Sequence, residues 1–89
     1  MSAETEVDLI SERVVRILAD VLNIALDEIH PGSRMLYDLG ASSIYITELV
    51  AAFQRRFRIE LTYIEVERCE TVAELVSLVE THAKAIQDP

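Results

Sequence analysis

The sequence predicts an all-α fold, a small bundle of three main helices and one short helix in a single domain spanning residues 1–89. Glycine and proline number two each, and all but Pro89 lie between residues 31 and 40, so long stretches on either side contain no chain breaker. In those stretches apolar residues recur at steps of three and four, the spacing of one helix face. Nowhere does an alternation of period two last long enough to require a strand.

The first helix is predicted from about residue 5 to residue 22. Thr5 can cap its N-terminus, with Asp8 three positions later in a weak form of the capping box. Its apolar face comprises Val7, Ile10, Val14, Ile17, Leu18, Val21 and Leu22.

A long loop, residues 23–42, follows the first helix. Twenty residues without regular structure in so small a domain are typical of a functional loop. Within it, residues 33–39 can wind into a single turn that ends at Gly40. Six apolar residues should hold the loop against the bundle: Ile24, Leu26, Ile29, Met35, Leu36 and Leu39.

Three more helices are predicted, at about residues 43–58, 63–68 and 72–86. The apolar stripe of the first of them comprises Ile46, Leu49, Val50, Phe53 and Phe57. The face of the last comprises Val72, Leu75, Val76, Val79, His82, Ala83 and Ile86, and Thr71 with Glu74 forms a capping box before it. We interpret His82 and Cys69 as packing residues and His30 as a turn residue.

Composition excludes several classes of protein. The chain has 16 Asp and Glu against 8 Lys and Arg, a net charge of −8, which argues against nucleic acid and anionic membranes as partners. The longest apolar run, residues 49–53, is far shorter than the roughly 20 residues of a membrane span. The N-terminus is polar and acidic, unlike a signal peptide, and the single cysteine allows no internal disulfide, so we expect a cytoplasmic location. Cys69, His30 and His82 share no metal-ligand spacing.

The acidity is unevenly distributed along the chain. Residues 1–30 and 59–89 each carry seven acidic and two basic side chains, a net charge of −5. Residues 43–58, the central helix, carry one glutamate and three arginines, a net charge of +2. The outer helices are therefore the acidic ones.

Two serines, Ser42 and Ser43, stand directly before the central helix, after Asp38-Leu39-Gly40-Ala41. Serine is a common N-cap residue, and most serines in this place do no more than cap. A helix N-terminus also offers free backbone N–H groups and a partial positive charge, which suit a phosphate ester on a serine.

The run Asp38-Leu39-Gly40-Ala41-x-Ser43-Ile44, followed by Glu48-Leu49-Val50 and Phe57, resembles the acyl carrier proteins. In that family the pattern reads Asp-Leu-Gly-Ala-Asp-Ser-Leu, with Glu-Leu-Val at the same offset, and the order of helices is the same. The resemblance implies a 4′-phosphopantetheine arm from coenzyme A, esterified to Ser43 by a phosphopantetheinyl transferase. Acyl groups are then carried as thioesters to acyl-loading and acyl-transferring or condensing enzymes, and the protein, which we expect to be a monomer, catalyses nothing itself.

The sequence departs from the family pattern at two places. Ser42 stands where the family has an aspartate that helps the transferase recognise its carrier. The central helix ends in arginines, whereas the docking face of fatty-acid carriers is dominated by glutamates. Arginine near a helix C-terminus also has a purely structural role with the dipole. The docking face predicted here comprises Ile44, Tyr45, Thr47, Glu48, Ala51 and Arg55.

The arginines favour a carrier for a polyketide or nonribosomal peptide-type secondary pathway, whose partners present acidic or apolar surfaces. Two alternatives remain open at this level. One is a carrier-like helical adaptor that is never modified and acts only by binding proteins, and the missing aspartate is its main support. The other is a fatty-acid or lipid-assembly carrier.

Overall fold

The computed structural model describes the backbone of residues 3–87 and the side chains of residues 9–83. Its elements are α1 (Ala3–Leu22), a 3-10 turn (Leu26–Glu28), α2 (Ser43–Phe57), α3 (Tyr63–Glu67) and α4 (Val72–Gln87). No strand occurs between residues 3 and 87, where the only β-type pairing is an isolated bridge between Arg34 and Thr71. The prediction of an all-α bundle with three long helices, one short helix and a long first loop is confirmed.

Helix α1 starts at Ala3, two residues before the predicted start, so the prediction that Thr5 is its N-cap is wrong. At the other end Asn23 is left-handed (φ 56°), and the N–H of Ile24 donates to the carbonyl of Ala19 at 3.1 Å. This pair of features is a Schellman motif with asparagine in the glycine position.

The core lies where α1 packs against α2 and α4, with α3 closing one side against α2 and α4. The predicted stripes supply most of it, and the loop between α2 and α3 adds two residues that no helix pattern indicated, Ile59 and Leu61. The large side chains with less than 2% exposure are Val14, Leu18, Leu49, Phe53, Leu61, Val66, Val72, Leu75 and Val79. Ile86 lies outside the described side chains.

The first loop is held less completely by its side chains than predicted. Ile29 and Met35 are buried, and Ile24 and Leu39 pack partly against the core. Leu26 and Leu36 were expected to anchor the loop too, but they are 51% and 54% exposed, so that prediction is wrong for both. In each case a nearby residue is buried instead. Ile29, three positions after Leu26, and Met35, directly before Leu36, are the side chains that pack in the core.

Backbone hydrogen bonds attach the same loop to the start of α4. The N–H of Met35 donates to the carbonyl of Glu70 at 2.8 Å. In return, the N–H groups of Val72 and Ala73 donate to the carbonyls of Ser33 (3.0 Å) and Pro31 (2.9 Å). The first N–H groups of a helix have no partner inside it, so the loop caps α4 while α4 fixes the loop.

Side-chain capping also orders α3 and α4. Thr62 and Glu65 form a capping box at the start of α3, which the sequence analysis did not identify. At α4 the predicted box is half formed. The N–H of Glu74 donates to Thr71 Oγ1 at 3.3 Å, but the Glu74 carboxylate accepts from the N–H of Glu70 instead of the N–H of Thr71.

His82, predicted to be a packing residue, is partly buried. Its Nε2 lies 2.8 Å from Glu65 Oε2, and this contact joins α4 to α3.

Glu65 should make the stability of the fold depend on pH. Its hydrogen bond to His82, together with those from Thr62, lowers the pKa of the Glu65 carboxyl. A lowered pKa in the folded state adds stability above the unfolded pKa, about 4.3 for glutamate, and that stability is lost as pH falls through the folded value. Since glutamine can also form the capping box, Glu65→Gln isolates the charge: we expect wild type to be more stable at pH 6 by up to about 1 kcal/mol.

Urea unfolding of both proteins between pH 6 and pH 3 tests this prediction. The difference between wild type and Glu65→Gln should disappear toward pH 3. Glu67→Gln, on the same helix and without a described side-chain hydrogen bond, should follow the wild-type profile. A difference between wild type and Glu65→Gln that stays constant down to pH 3 would contradict the assignment.

Candidate functional site

The two serines differ in their position at the start of α2. Ser42 is the N-cap residue, with extended backbone (φ −75°, ψ −179°), and its carbonyl accepts from the N–H of Ile46 at 2.9 Å. Its side chain makes no capping hydrogen bond. Ser43 is the first residue of the helix and is exposed, and its carbonyl accepts from Thr47 Oγ1 at 3.1 Å. Both hydroxyls therefore lie at the positive end of a 15-residue helix.

The turn before the serines fixes where they lie. Gly40 has φ +70°, a conformation that favours glycine, and its N–H donates to the carbonyl of Leu36 at 3.0 Å. This confirms the prediction of a turn that ends at Gly40. Ala41 is then buried, and its N–H donates to the carbonyl of Met35 at 2.9 Å. Because Ala41 is fixed in the core, Ser42 and Ser43 emerge at a defined point of the surface.

Asp38 stabilises this turn from within. Its Oδ2 accepts from the backbone N–H of Arg34 at 2.7 Å and lies 3.4 Å from Arg34 Nε. The backbone hydrogen bond is the main cause of a lowered pKa for the Asp38 carboxyl, and the Arg34 side chain adds to it. The aspartate of the motif is therefore a charged residue of the framework at neutral pH.

A groove of about 510 Å³ lies beside Ser43, between the first loop, α2 and α3. Its floor is apolar and buried, formed by Met35, Ala41, Ile46 and Val66. Polar and aromatic residues also line it: Arg34, Tyr37, Tyr63, Glu67 and Glu70. An exposed serine at a helix N-terminus with an apolar groove next to it fits an arm linked through a phosphate ester, because the N–H groups suit the phosphate and the groove suits an organic chain.

Cys69 also lines the groove, but it is not suited to chemistry there. Burial, and then the negative charges of Glu74 and Glu65, raise the pKa of its thiol to about 11. The thiolate is the reactive form of cysteine, so this thiol is unreactive at neutral pH. Its Sγ lies 3.5 Å from the carbonyl of Glu65, and the side chain packs partly against the core, in agreement with the packing role predicted for it.

The predicted docking residues lie along one side of α2. Ile44, Tyr45, Thr47, Glu48 and Arg55 are exposed, and Ala51 is half-buried. Ile44 is 70% exposed, unusual for an isoleucine one residue from the start of a helix.

Sequence reasoning missed two residues near Ser43, Leu36 and Tyr37. Tyr37 is 79% exposed, and both residues line the groove that Ser43 also lines. The available signal was a pair of apolar residues directly before the Asp38-Leu39-Gly40 run. Together with Ile44 and Tyr45 they form an exposed apolar surface around the serine, which we call the apolar rim.

Neither a metal-binding cluster nor a membrane-spanning helix occurs among the described residues. No three His, Cys, Asp or Glu side chains there lie together in a group that could hold a metal ion. None of the helices, over the same residues, combines the length and the apolar content that crossing a membrane requires.

The chain is similar in sequence to proteins of known family. Residues 12–79 match the family described as "Phosphopantetheine attachment site". The acyl carrier protein of Akkermansia muciniphila is 37% identical over 71 residues, which cover 80% of this chain and 89% of that protein. The acyl carrier protein of Clostridium acetobutylicum is 36% identical over 76 residues, 85% of this chain and 99% of that protein.

A solved structure has the same fold. It is the solution structure of the apo doublet acyl carrier protein from prodigiosin biosynthesis, with a TM-score of 0.74 and 20% sequence identity. The match covers 91% of this chain and 38% of the other, so this chain spans well under half of that protein. From the family match and the curated relatives together, we conclude that the chain belongs to the acyl carrier protein family, non-catalytic carriers that use 4′-phosphopantetheine.

Proposed function

We propose that Ser43 is the residue that receives 4′-phosphopantetheine, and that the protein carries acyl intermediates for a polyketide or nonribosomal peptide-type pathway. The position in the motif carries the choice of serine. Both hydroxyls are exposed, but Ser43 is the first residue of α2 and lies where the pattern Asp38-Leu39-Gly40-Ala41-x-Ser43, followed by Glu48-Leu49-Val50, has its serine. The free N–H groups and the positive end of the helix dipole stabilise a negatively charged phosphodiester at this point. The arm supplies a terminal thiol on which acyl groups are held as thioesters.

The contribution of the chain itself is positional. Buried Ala41 and left-handed Gly40 fix the point at which Ser43 leaves the bundle. A flexible tether from a fixed point raises the effective concentration of the cargo at a docked enzyme. The groove beside Ser43 offers an apolar surface to whatever is attached there.

Partner enzymes would dock on the exposed side of α2, comprising Ile44, Tyr45, Thr47, Glu48, Ala51 and Arg55. The apolar rim supports this proposal, because exposed aromatic and aliphatic side chains at one place are typical of protein-binding surfaces. The partners we propose are a phosphopantetheinyl transferase, an acyl-loading enzyme and acyl-transferring or condensing enzymes. We propose a cytoplasmic monomer, since one cysteine suits a reducing compartment.

The charge of α2 supports a specialised pathway over general fatty acid synthesis. The helix and the residue after it carry one glutamate against three arginines. Enzymes that bind their carriers through basic surfaces would be repelled by the arginines, and like charges across an interface oppose binding. Enzymes of a dedicated pathway would present apolar or acidic surfaces instead.

The experiment that tests the carrier function is modification of the purified protein with coenzyme A and a phosphopantetheinyl transferase of broad specificity. Intact mass should show the gain of one arm, and peptide mapping should place it on Ser43. No gain with any transferase tried would support the alternative of an unmodified helical adaptor.

Ser42 should determine which transferases act on the protein. We expect Ser42→Asp to be modified about tenfold faster by a transferase that contacts the family's aspartate with a basic residue, an effect of about 1.4 kcal/mol. Ser42→Asn, of the same shape but uncharged, is the matched control and should resemble wild type. Equal initial rates for the two variants would show that the carboxylate is not what the transferase reads.

A further inference from the structure

The C-terminal end of α2 carries four exposed arginine side chains, which we call the arginine end: Arg13, Arg55, Arg56 and Arg58. Arg55 and Arg56 lie in the last turn of α2, and Arg58 is its C-cap. Arg13 comes from α1, but its Nη2 donates to the carbonyl of Arg56 at 2.8 Å. Its guanidinium carbon also lies 4.2 Å from the centroid of the Phe57 ring. The four charges therefore belong to one end of the bundle.

These charges have no acidic partner among the described side chains. The ion pairs of residues 9–83 are Arg34 with Asp38 and His82 with Glu65, and neither includes the arginine end. The helix dipole contributes about half an elementary negative charge at a C-terminus, which balances a small part of four positive charges. The positive charge of this cluster is not neutralised by ion pairs, although the chain as a whole has a net charge of −8. Such a cluster attracts a partner of opposite charge.

One member of the arginine end is held in a defined position. Arg13 is fixed by the Phe57 ring and by one hydrogen bond, which leaves further guanidinium N–H donors free, since the group has five. Arg58 has φ 54°, the left-handed conformation that commonly ends a helix and that glycine adopts most easily. Guanidinium groups in fixed positions match carboxylates in a bidentate geometry.

The arginine end also continues the proposed docking side of α2. Ile44, Ala51 and Arg55 are separated by steps of seven and four residues, so they share one face of the helix. Arg55 lies twelve residues beyond Ser43, about 18 Å along the helix axis at 1.5 Å per residue. A protein that covers the apolar rim can therefore reach the arginine end with the same surface.

We propose that the arginine end is a docking site for an acidic surface of a partner protein. The proposal rests on the carrier function in one respect, that the partner acts on the group attached to Ser43. The positive charge of the arginine end favours a partner with a negatively charged surface. Residues 1–30 and residues 59–89 each carry a net charge of −5, and this negative charge disfavours an extended polyanion such as nucleic acid. Paired contacts, an apolar one at the rim and an ionic one 18 Å away, would fix the orientation of the partner on α2.

An NMR titration of the unmodified, isotope-labelled protein with a ten-residue glutamate peptide tests the proposal without any transferase. We expect amide shift changes centred on residues 55–59 and on Arg13, with an affinity that falls as salt is added. A ten-residue lysine peptide should leave those amides unchanged. Because the protein is unmodified, failure here is distinct from failure of modification at Ser43.

Variants make the test specific. Arg55→Gln with Arg56→Gln should weaken binding of the glutamate peptide at least tenfold, whereas Arg68→Gln, an exposed arginine elsewhere, should leave it within twofold. Arg58→Gly should weaken binding while raising the thermal midpoint, because it removes a charge and relieves the left-handed strain. The proposal is overturned if the glutamate peptide leaves the arginine end unperturbed, if the double variant binds like wild type, or if a DNA duplex binds there more tightly.

Discussion

A Ser43→Ala protein is expected to gain no mass when incubated with coenzyme A and a transferase of broad specificity, whereas wild type gains one arm. The substitution removes the only hydroxyl at the first position of α2 and leaves nothing that can form the phosphate ester. The backbone carbonyl that accepts from Thr47 Oγ1 is kept, and Ser43 is exposed, so the helix should form as before. Intact mass spectrometry measures the loss as all or none.

Ser42→Ala is the matched control, since it removes a neighbouring exposed hydroxyl by the same change. It should be modified to completion, and its fold should be little affected because the Ser42 side chain makes no capping hydrogen bond. If Ser43→Ala is modified and Ser42→Ala is not, the attachment residue is Ser42 and the assignment to Ser43 is wrong. Circular dichroism of both variants excludes unfolding as the reason for a missing mass gain.

Leu49→Ala is expected to destabilise the fold by about 2–5 kcal/mol, the usual effect of emptying a fully buried leucine site. Leu49 is 0% exposed, on the side of α2 that faces the bundle core. A domain of 89 residues has roughly 4–13 kcal/mol of total stability, so the loss is a large part of the whole. Chemical unfolding followed by circular dichroism measures it.

Leu26→Ala is the matched control, the same substitution at a leucine that is half exposed in the 3-10 turn. We expect it to cost less than about 1 kcal/mol, because little of this side chain leaves water on folding. Similar losses for the two variants would contradict the described packing of Leu26. The same pair of variants tests whether Leu26 anchors the first loop, as the sequence pattern predicts, or lies at its surface, as the structure shows.

Helices could be predicted from the sequence because their signal is local. Val14 and Leu18, or Leu49 and Phe53, reveal a buried face by spacing alone. The turn at Gly40 and the position of the two serines before α2 were predicted for the same reason, since turn and cap residues act on their neighbours. The start of α1 could not be fixed this way, because acidic residues suit both the cap and the first turn.

The remaining features depend on which distant residues meet. Leu36 and Met35 are both apolar and adjacent, and only the docking of the loop on α4 decides which of them is buried. Glu65 and His82 are 17 residues apart, and Arg13 is 43 residues from Arg56. These contacts depend on how helices cross, which spacing along one helix does not specify. The arginine end was therefore visible in the sequence only as three arginines, without the fourth from α1.

The backbone link between the first loop and α4 has a consequence for how such a carrier can change over evolution. The loop is fixed by main-chain groups of Pro31, Ser33 and Met35, not by the exposed side chains of Leu36 and Tyr37. Substitutions at those two exposed positions should therefore change the proposed docking surface without moving the serine. On the proposed docking surface, the residues that hold the loop differ from those that would contact partners, so the same scaffold could acquire new partners by changes at its surface.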